Sequence, residues 1–453
     1  MASFLEFFRN VPKNNKIVLL GNTLEFFDLF LYIHFATVIA QKFFPPGFDK
    51  TFFFQAFNWS QVYFIAPVAC LIFSYLGDKH GRRPIIIHTG LTIAIASTLV
   101  VFLPTYEAGG EYATILLLVL RIIQGIAFAG EPNAANLFLI ENSSIDRSSL
   151  WYTQSPWYVR FATATEEFGG ICALIAILLT VKYLGEYEHG WRLPFILCVF
   201  SICGVLWARF KLTESPEYIE ASSNKLGVSM FDDGDNGLFF LKKVLFFYKR
   251  NFVCLLLMML TYPVVFNFCI IQVSSAVVGN GGMEALLIHN AIVSAESIFF
   301  GLLTAYMALK FKWNLRKSVY SYVTIGLCAA YMCVWGIENG LSYWSITLFQ
   351  GIMYGFTNFV LLRPALLKAM PVIGRYTLMG SAWSFARLIN FFMVVFIIHW
   401  IKIKFGMYGC FFFLLGIVSI SLFGAWYHVC YYTLHSQYNI KKYKREVKER
   451  LKS

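Results

Sequence analysis

Charge is what this 453-residue chain has least of: 14% of its residues are Asp, Glu, Lys or Arg, against the roughly 25% typical of a soluble domain. Apolar residues make up 58% and aromatics 18%. Since a membrane span takes about 20 apolar residues, spans use up the length and leave no water-soluble domain to carry chemistry. No C-x-x-C pair occurs among the ten cysteines, which fall in apolar stretches and read as small buried hydrophobes. Neither a metal site nor a cofactor is expected. No H-x-x-x-x-D, H-E-x-x-H or G-x-S-x-G motif stands at an interface, which leaves a polytopic membrane enzyme without its usual machinery. Residues 1–16 lack the apolar core of about 7–15 residues that a cleavable signal peptide needs, so the first span is expected to remain in the membrane.

What is there is a series of apolar runs near bilayer length. Twelve are read, at 17–40, 53–76, 85–104, 112–140, 160–184 and 191–210, then 251–278, 284–309, 318–337, 341–362, 378–401 and 406–430. The expected organisation is a short inside segment (1–16), six spans (17–210), a polar loop with the run FDDGDNG (211–250), six further spans (251–430) and a basic tail (431–453). Lys and Arg support it. With both termini inside, the inner segments hold 29 of the 37 and the outer loops 5, while Arg121, Arg192 and Arg387 lie within spans. Cytoplasmic loops carry such an excess, so the net charge of +12 is read as topology and no nucleic-acid partner is expected. The tail reads as an anchor beside anionic headgroups. The predicted class is an all-α polytopic membrane protein, a monomer with the bilayer and a small polar solute as its partners.

Ionisable groups deep in a bilayer are costly unless paired or hydrated, which makes each one a candidate for function. In the first span, GNTLEFFDLFLY puts Glu25 and Asp28 three residues apart on one helix face, about 12 to 17 Å from the inner end at 1.5 Å per residue. In the fourth, RIIQGIAFAGE puts Arg121, Gln124 and Glu131 on one stripe, with Arg121 about 14 Å from the outer end. An acidic pair facing a buried Arg can bind a zwitterionic or anionic solute. It can also exchange a proton when burial or a like-charged neighbour disfavours the ionised form. Coupled transport needs both; the other reading is a static ion pair locking the two helices together. Glu131, near the inner end, is assigned to gating rather than to solute. Glu296 of the eighth span and Arg387 of the eleventh reach similar depth, either as part of a cavity or as a pair closing one side of it.

Between spans two and three lies GDKHGRRP. Gly77 and Gly81 permit a tight turn, and Asp78 stands where Arg82 and Arg83 can meet it in fork geometry. The spacing reads as a latch, more specific than an ordinary positively charged loop requires.

This loop resembles the signature of the major facilitator superfamily. Together with EFFDLFLY, RIIQGIAFAGE, GWRLPF and LTESPEY in order along the first half, it is similar to the metabolite:proton symporters, a family whose members carry proline and betaine, 2-oxoglutarate, citrate or shikimate. The resemblance implies twelve helices in two six-helix bundles with solute between them. It carries over Glu25, Asp28 and Arg121 as coupling and binding charges, and Asp78, Arg82 and Glu131 as a cytoplasmic gate. The second half departs from the pattern. The loop at 310–318, KFKWNLRKS, lacks the Gly and Asp of the signature, while AMPVIGRYTLMG keeps Pro371, Arg375, Tyr376 and Thr377. The function expected is proton-coupled symport in a bacterial inner membrane; an uncoupled carrier or a transporter-like sensor are the alternatives.

Overall fold

The computed structural model describes residues 11–45, 64–142, 155–184, 187, 189–223, 237–279, 281–310, 315–356, 363–368, 370 and 372–450. No strand occurs among them. Their twelve longest helices are α1 (Lys13–His34), α2 (Ala66–His80), α3 (Arg82–Phe102), α4 (Glu111–Glu141), α5 (Ser155–Leu184), α6 (Leu193–Arg209), α7 (Lys249–Phe266), α8 (Gly282–Lys310), α9 (Leu315–Glu338), α10 (Tyr343–Phe356), α11 (Arg375–Phe392) and α12 (Ile398–Arg450). Eight helical segments, in α1, α3, α4, α5, α7, α8, α9 and α12, are long and apolar enough to cross a membrane. Of the expected second span, only the part from residue 64 lies within the described residues, as does only part of the tenth. The first ten residues, most of the FDDGDNG run and the centre of the 310–318 loop lie outside them.

Apolar side chains pointing in every direction suit helices that meet lipid on one side and protein on the other. Phe102, Phe200 and Phe299 are accordingly exposed on the outer faces. Breaks fall where the backbone demands them. Gly81 adopts φ 100° between α2 and α3, a conformation that penalises a Cβ, and a side chain there would also strike Glu214. α11 runs through a wide π turn, Met393–Ile397, into Ile398, and the chain turns back only at Gly406, with φ 64°. The eleventh apolar run is therefore one continuous helical stretch, and α12 is two helices merged across this kink.

The packing repeats every six helices. In the first set α1 packs on α5 and α6, α2 on α4, and α3 on α4 and α6; in the second α7 packs on α11 and α12, α8 on α10, and α9 on α10 and α12. The major contacts joining the two sets, α2 with α11 and α5 with α8, also exchange under the same shift. Two bundles of like design thus face each other across an internal pseudo-symmetry.

Candidate functional site

Between the bundles lies a cavity of about 1580 Å³ of empty space, open to solvent and walled by α1, α4, α5, α7 and α11. Adjoining it is a smaller chamber of about 530 Å³, which holds Glu25, Asp28, Arg121, Gln124 and Arg387. Leu29, Phe128, Trp383 and Arg387 line both. Apolar walls with a few converging polar groups are the usual make-up of a small-molecule site.

Asp28 is 4% exposed and sits at the centre of a donor shell. Ser97 Oγ donates to its Oδ1 at 2.9 Å, Gln124 Nε2 donates to Oδ2 at 3.3 Å, and the Cys198 thiol approaches Oδ1 at 3.5 Å. Gln124 also accepts from Arg121 at 3.0 Å, so it bridges the carboxylate of α1 to the guanidinium of α4. The Arg121 guanidinium lies 3.6 Å over the Tyr32 ring, which offsets part of its desolvation through the ring quadrupole. Arg387 approaches from α11, stacked over Trp383 at 4.8 Å.

Glu25 departs from the expected pairing. Although it shares a helix face with Asp28, it meets Arg209 of α6 rather than Arg121, with Arg209 NH1 at 2.7 Å from Oε1. The other arm of Arg209 meets Glu131 Oε1 at 2.6 Å. Arg209 is 2% exposed, and its place depends on two glycines: a Cβ at Gly21 of α1 or at Gly90 of α3 would overlap the guanidinium. Sequence reasoning counts Arg209 as an inner-end cation because it closes an apolar run. The signal that could have found it is the stacking of two small residues, Gly21 and Gly90, at one depth.

The same observation corrects Glu131, expected at the inner gate. α4 continues ten residues beyond it to Glu141, so Glu131 is about 30 Å along the helix from Glu111 at 1.5 Å per residue, still inside the bundle. Glu296 also departs. It packs against Gly351 of α10, within the second bundle, and one of its carboxylate oxygens is buried without a hydrogen-bond partner. Arg387 lines the cavity and Glu296 does not, because the α8–α10 contact turns Glu296 toward its own bundle.

The latch holds the expected Asp78–Arg82 pair and adds a second acid, Glu141. Arg82, fully buried, lies 3.2 Å from Asp78 and 2.9 Å from Glu141, and it donates to the carbonyls of Gly77 and Val372 at 2.8 and 2.7 Å. Asp78 caps the start of α11, accepting from the backbone N–H of Tyr376 at 3.3 Å and of Thr377 at 2.7 Å. An acid at a helix N-terminus satisfies donors that have no partner within the helix. Burial pushes the Asp78 carboxyl up, and Arg82 and the Thr377 amide oppose that. Arg375 links Glu141 at 3.3 Å to Glu217 at 2.9 Å, and Tyr376 donates to the Gly130 carbonyl at 2.7 Å. Arg83 contributes through its backbone N–H, which donates to Glu214 at 3.0 Å. Glu141, Glu214 and Glu217 were not among the expected site residues. A second tie joins the bundles at α5, where Arg160 donates to the carbonyls of Gly301, at 2.9 Å, and Gly355, and Tyr354 donates to Glu167 at 2.6 Å.

Residues 15–228 match the family model of the sugar (and other) transporters. A putative proline/betaine transporter of Staphylococcus aureus is 29% identical over 52% of this chain, a match spanning 48% of that relative's length. An inner membrane metabolite transport protein of Escherichia coli, YhjE, is 24% identical over 91% of this chain and 93% of its own. Among solved structures, the proton:xylose symporter XylE has a TM-score of 0.68 at 14% identity, covering 92% of this chain and 94% of that one. The fold is shared with that symporter, and the sequence relatives are transporters rather than enzymes. This chain is similar in sequence to the sugar (and other) transporters over residues 15–228 and to bacterial metabolite transporters, it shares the fold of a major facilitator superfamily symporter, and with its apolar helices it is a multi-pass inner membrane protein.

Proposed function

We propose that the protein is a proton-coupled symporter of a small polar organic solute, either an organic acid or a zwitterion of the proline and betaine kind, working by alternating access through twelve spans with both termini in the cytoplasm. The observation that carries this reading is the convergence of Asp28, Gln124, Arg121 and Arg387 on one cavity between the bundles. Opposite charges held in an apolar chamber attract a dipolar or anionic solute far more strongly than they would in water. In this cycle Arg121 and Arg387 take the solute's carboxylate, with Gln124 holding the geometry. Asp28 takes a proton from the outer side. Glu25 and Glu131 share the single guanidinium of Arg209, so that cluster is neutral when one carboxyl holds a proton, and it provides a second place for the coupling ion. The latch around Arg82 and Glu141 separates when the bundles rock, releasing solute inside. Glu296, turned into its own bundle, has no part in this.

The test is uptake by the purified protein in liposomes, with labelled proline, betaine, 2-oxoglutarate, citrate and shikimate, with and without an inward proton gradient. Accumulation of one solute that depends on the gradient is expected. Equilibration indifferent to the gradient would leave an uncoupled carrier, and saturable binding without uptake would leave a sensor. Asp28→Asn keeps size and removes charge. It is expected to abolish accumulation while the protein stays folded and monodisperse, and full accumulation by that variant would remove Asp28 from the coupling role.

A further inference from the structure

The larger cavity continues past the Asp28 chamber toward the latch end, and there it holds charges that the proposed cycle leaves unused. Glu166 of α5 and Arg363, at the start of the short helix Arg363–Lys368, line it from opposite bundles, with Asn133, Asn136 and Tyr262 beside them. Glu166 lies eleven residues into α5, about 17 Å from its start at 1.5 Å per residue. Asn136 is five residues from the latch end of α4. The Asn136 side chain lies against the Glu166 carboxyl, and Glu166 and Arg363 feel each other's charge across the cavity. They are not bonded: among the described residues no ion pair joins them and no hydrogen bond reaches the Arg363 guanidinium. A half-buried guanidinium of five donors facing a cavity is uncommon without a partner, since a cation in such a place is ordinarily paired.

We infer that Glu166 and Arg363 form a second charged subsite for the transported solute, deeper than the Asp28 chamber, and that the solute class it fits is a zwitterion. This rests on the symporter reading above. Arg363 presents a planar fork that matches a carboxylate in bidentate fashion, and Glu166 faces it with the sign that suits an ammonium group. The outer chamber repeats the arrangement, with Arg121 and Arg387 near Asp28. A solute carrying one charge of each sign therefore meets complementary partners at both levels on its way to the latch. A dicarboxylate would satisfy the arginines and place its second carboxylate against Glu166, where like charges repel.

Equilibrium binding of labelled L-proline, glycine betaine and 2-oxoglutarate to the purified full chain in lipid nanodiscs tests this. Proline or betaine is expected to bind the native protein, and Arg363→Gln or Glu166→Gln is expected to weaken it about 10- to 100-fold, the loss of one charged hydrogen-bond partner. Arg363→Lys and Glu166→Asp keep the charges in altered geometry and are expected to lose less, which keeps the test readable if a Gln variant does not fold. Unchanged affinity in these variants, with affinity lost in Asp28→Asn, would remove the second subsite and leave the outer one. Rescue of binding by the exchange Glu166→Arg with Arg363→Glu would make the two a gating ion pair and overturn the subsite. Binding of 2-oxoglutarate alone by the native protein would overturn the zwitterion class while sparing the transporter reading, and binding of none of the three would remove both.

Discussion

The contact between α1 and α6 and the contact between α7 and α12 are the same contact under the six-helix repeat, yet they are made of different chemistry. The first is held by Glu25 and Arg209, buried, with Glu131 completing the cluster. The second is held by two hydroxyls, Thr261 and Ser421, with Ser421 also donating to the Leu257 carbonyl at 2.6 Å. The helix α10, repeat mate of α4, likewise carries Gln350 in a neutral network with His289, Ser274 and the Cys269 carbonyl, where α4 carries Arg121, Gln124 and Glu131. At these repeat positions the second bundle therefore packs without charge. The charge in the first bundle is not required by its fold, and a buried ion cluster is on balance weak evidence for stability. On the proposed reading, the difference puts the acidic groups that could carry a proton in the first bundle, while the second adds Arg387 to the solute chamber on an otherwise neutral set of packing contacts.

Removing Arg209 breaks this comparison most severely. Arg209→Met leaves Glu25 and Glu131 buried without a counter-ion, and the expected cost is about 3–5 kcal/mol of stability, read as a large drop in the thermal midpoint of the purified protein. Ser421→Ala at the matching place is expected to cost less, about 1–3 kcal/mol, the ordinary net worth of its two hydrogen bonds. The decisive variant combines Glu25→Gln, Arg209→Met and Glu131→Gln. If the cluster serves function rather than packing, this neutral first bundle regains most of the lost stability and still fails to accumulate solute against its gradient. A triple variant as unstable as Arg209→Met would instead make the cluster structural.

How much of this was legible in the sequence follows from the same asymmetry. Positions where charge interrupts an apolar run, Glu25, Asp28, Arg121 and Arg387, are visible because the membrane makes charge conspicuous, and all four line the chamber. The turn GDKHGRRP was visible from its glycines and its Asp–Arg spacing. Partner choice was not visible. Glu25 and Asp28 share a helix face, and nothing in the spacing says that one turns to α6 and the other to α3 and α4. Residues at the ends of runs, Arg209 and Arg160, look like loop cations until the helices around them are placed. Glu141 was hidden because α4 outlasts its apolar run. Glu296 was misjudged because depth in the bilayer says nothing of which side of a helix faces the cavity.

The two ties between the bundles sharpen the comparison at smaller cost. Asp78 of the first bundle accepts from the amides of α11, whereas Arg160, also of the first bundle, donates to carbonyls of α8 and of the last turn of α10. Those amides at the start of α11 have no alternative partner within their helix, while the Gly301 carbonyl lies inside α8 and is placed to accept from its own helix. Asp78→Asn is therefore expected to loosen its tie more, by about 1.5–3 kcal/mol for a charged hydrogen-bond partner, than Arg160→Met loosens the other. Cys70, buried on α2 against the Gly380 carbonyl of α11, reports on this. In a chain with the other cysteines replaced, its labelling by a membrane-permeant maleimide should rise in Asp78→Asn and change little in Arg160→Met; equal labelling in the two would show that the ties are equivalent.

The smallest expected effect is at Glu296, the one acidic candidate that the second bundle contributes. It packs on Gly351 rather than into the cavity, and one of its oxygens is buried without a hydrogen bond. Glu296→Gln should leave solute affinity and gradient dependence unchanged, within the roughly 0.5 kcal/mol of substitutions remote from a site. Stability should hold or rise slightly, because a buried carboxylate without a partner pays for desolvation and gains nothing in return. A loss of coupling in this variant, with the fold intact, would mean that the second bundle supplies a proton-carrying acid as well as arginines. The contrast between acids confined to the first bundle and a second bundle without a working acid would then give way to a proton path shared across both.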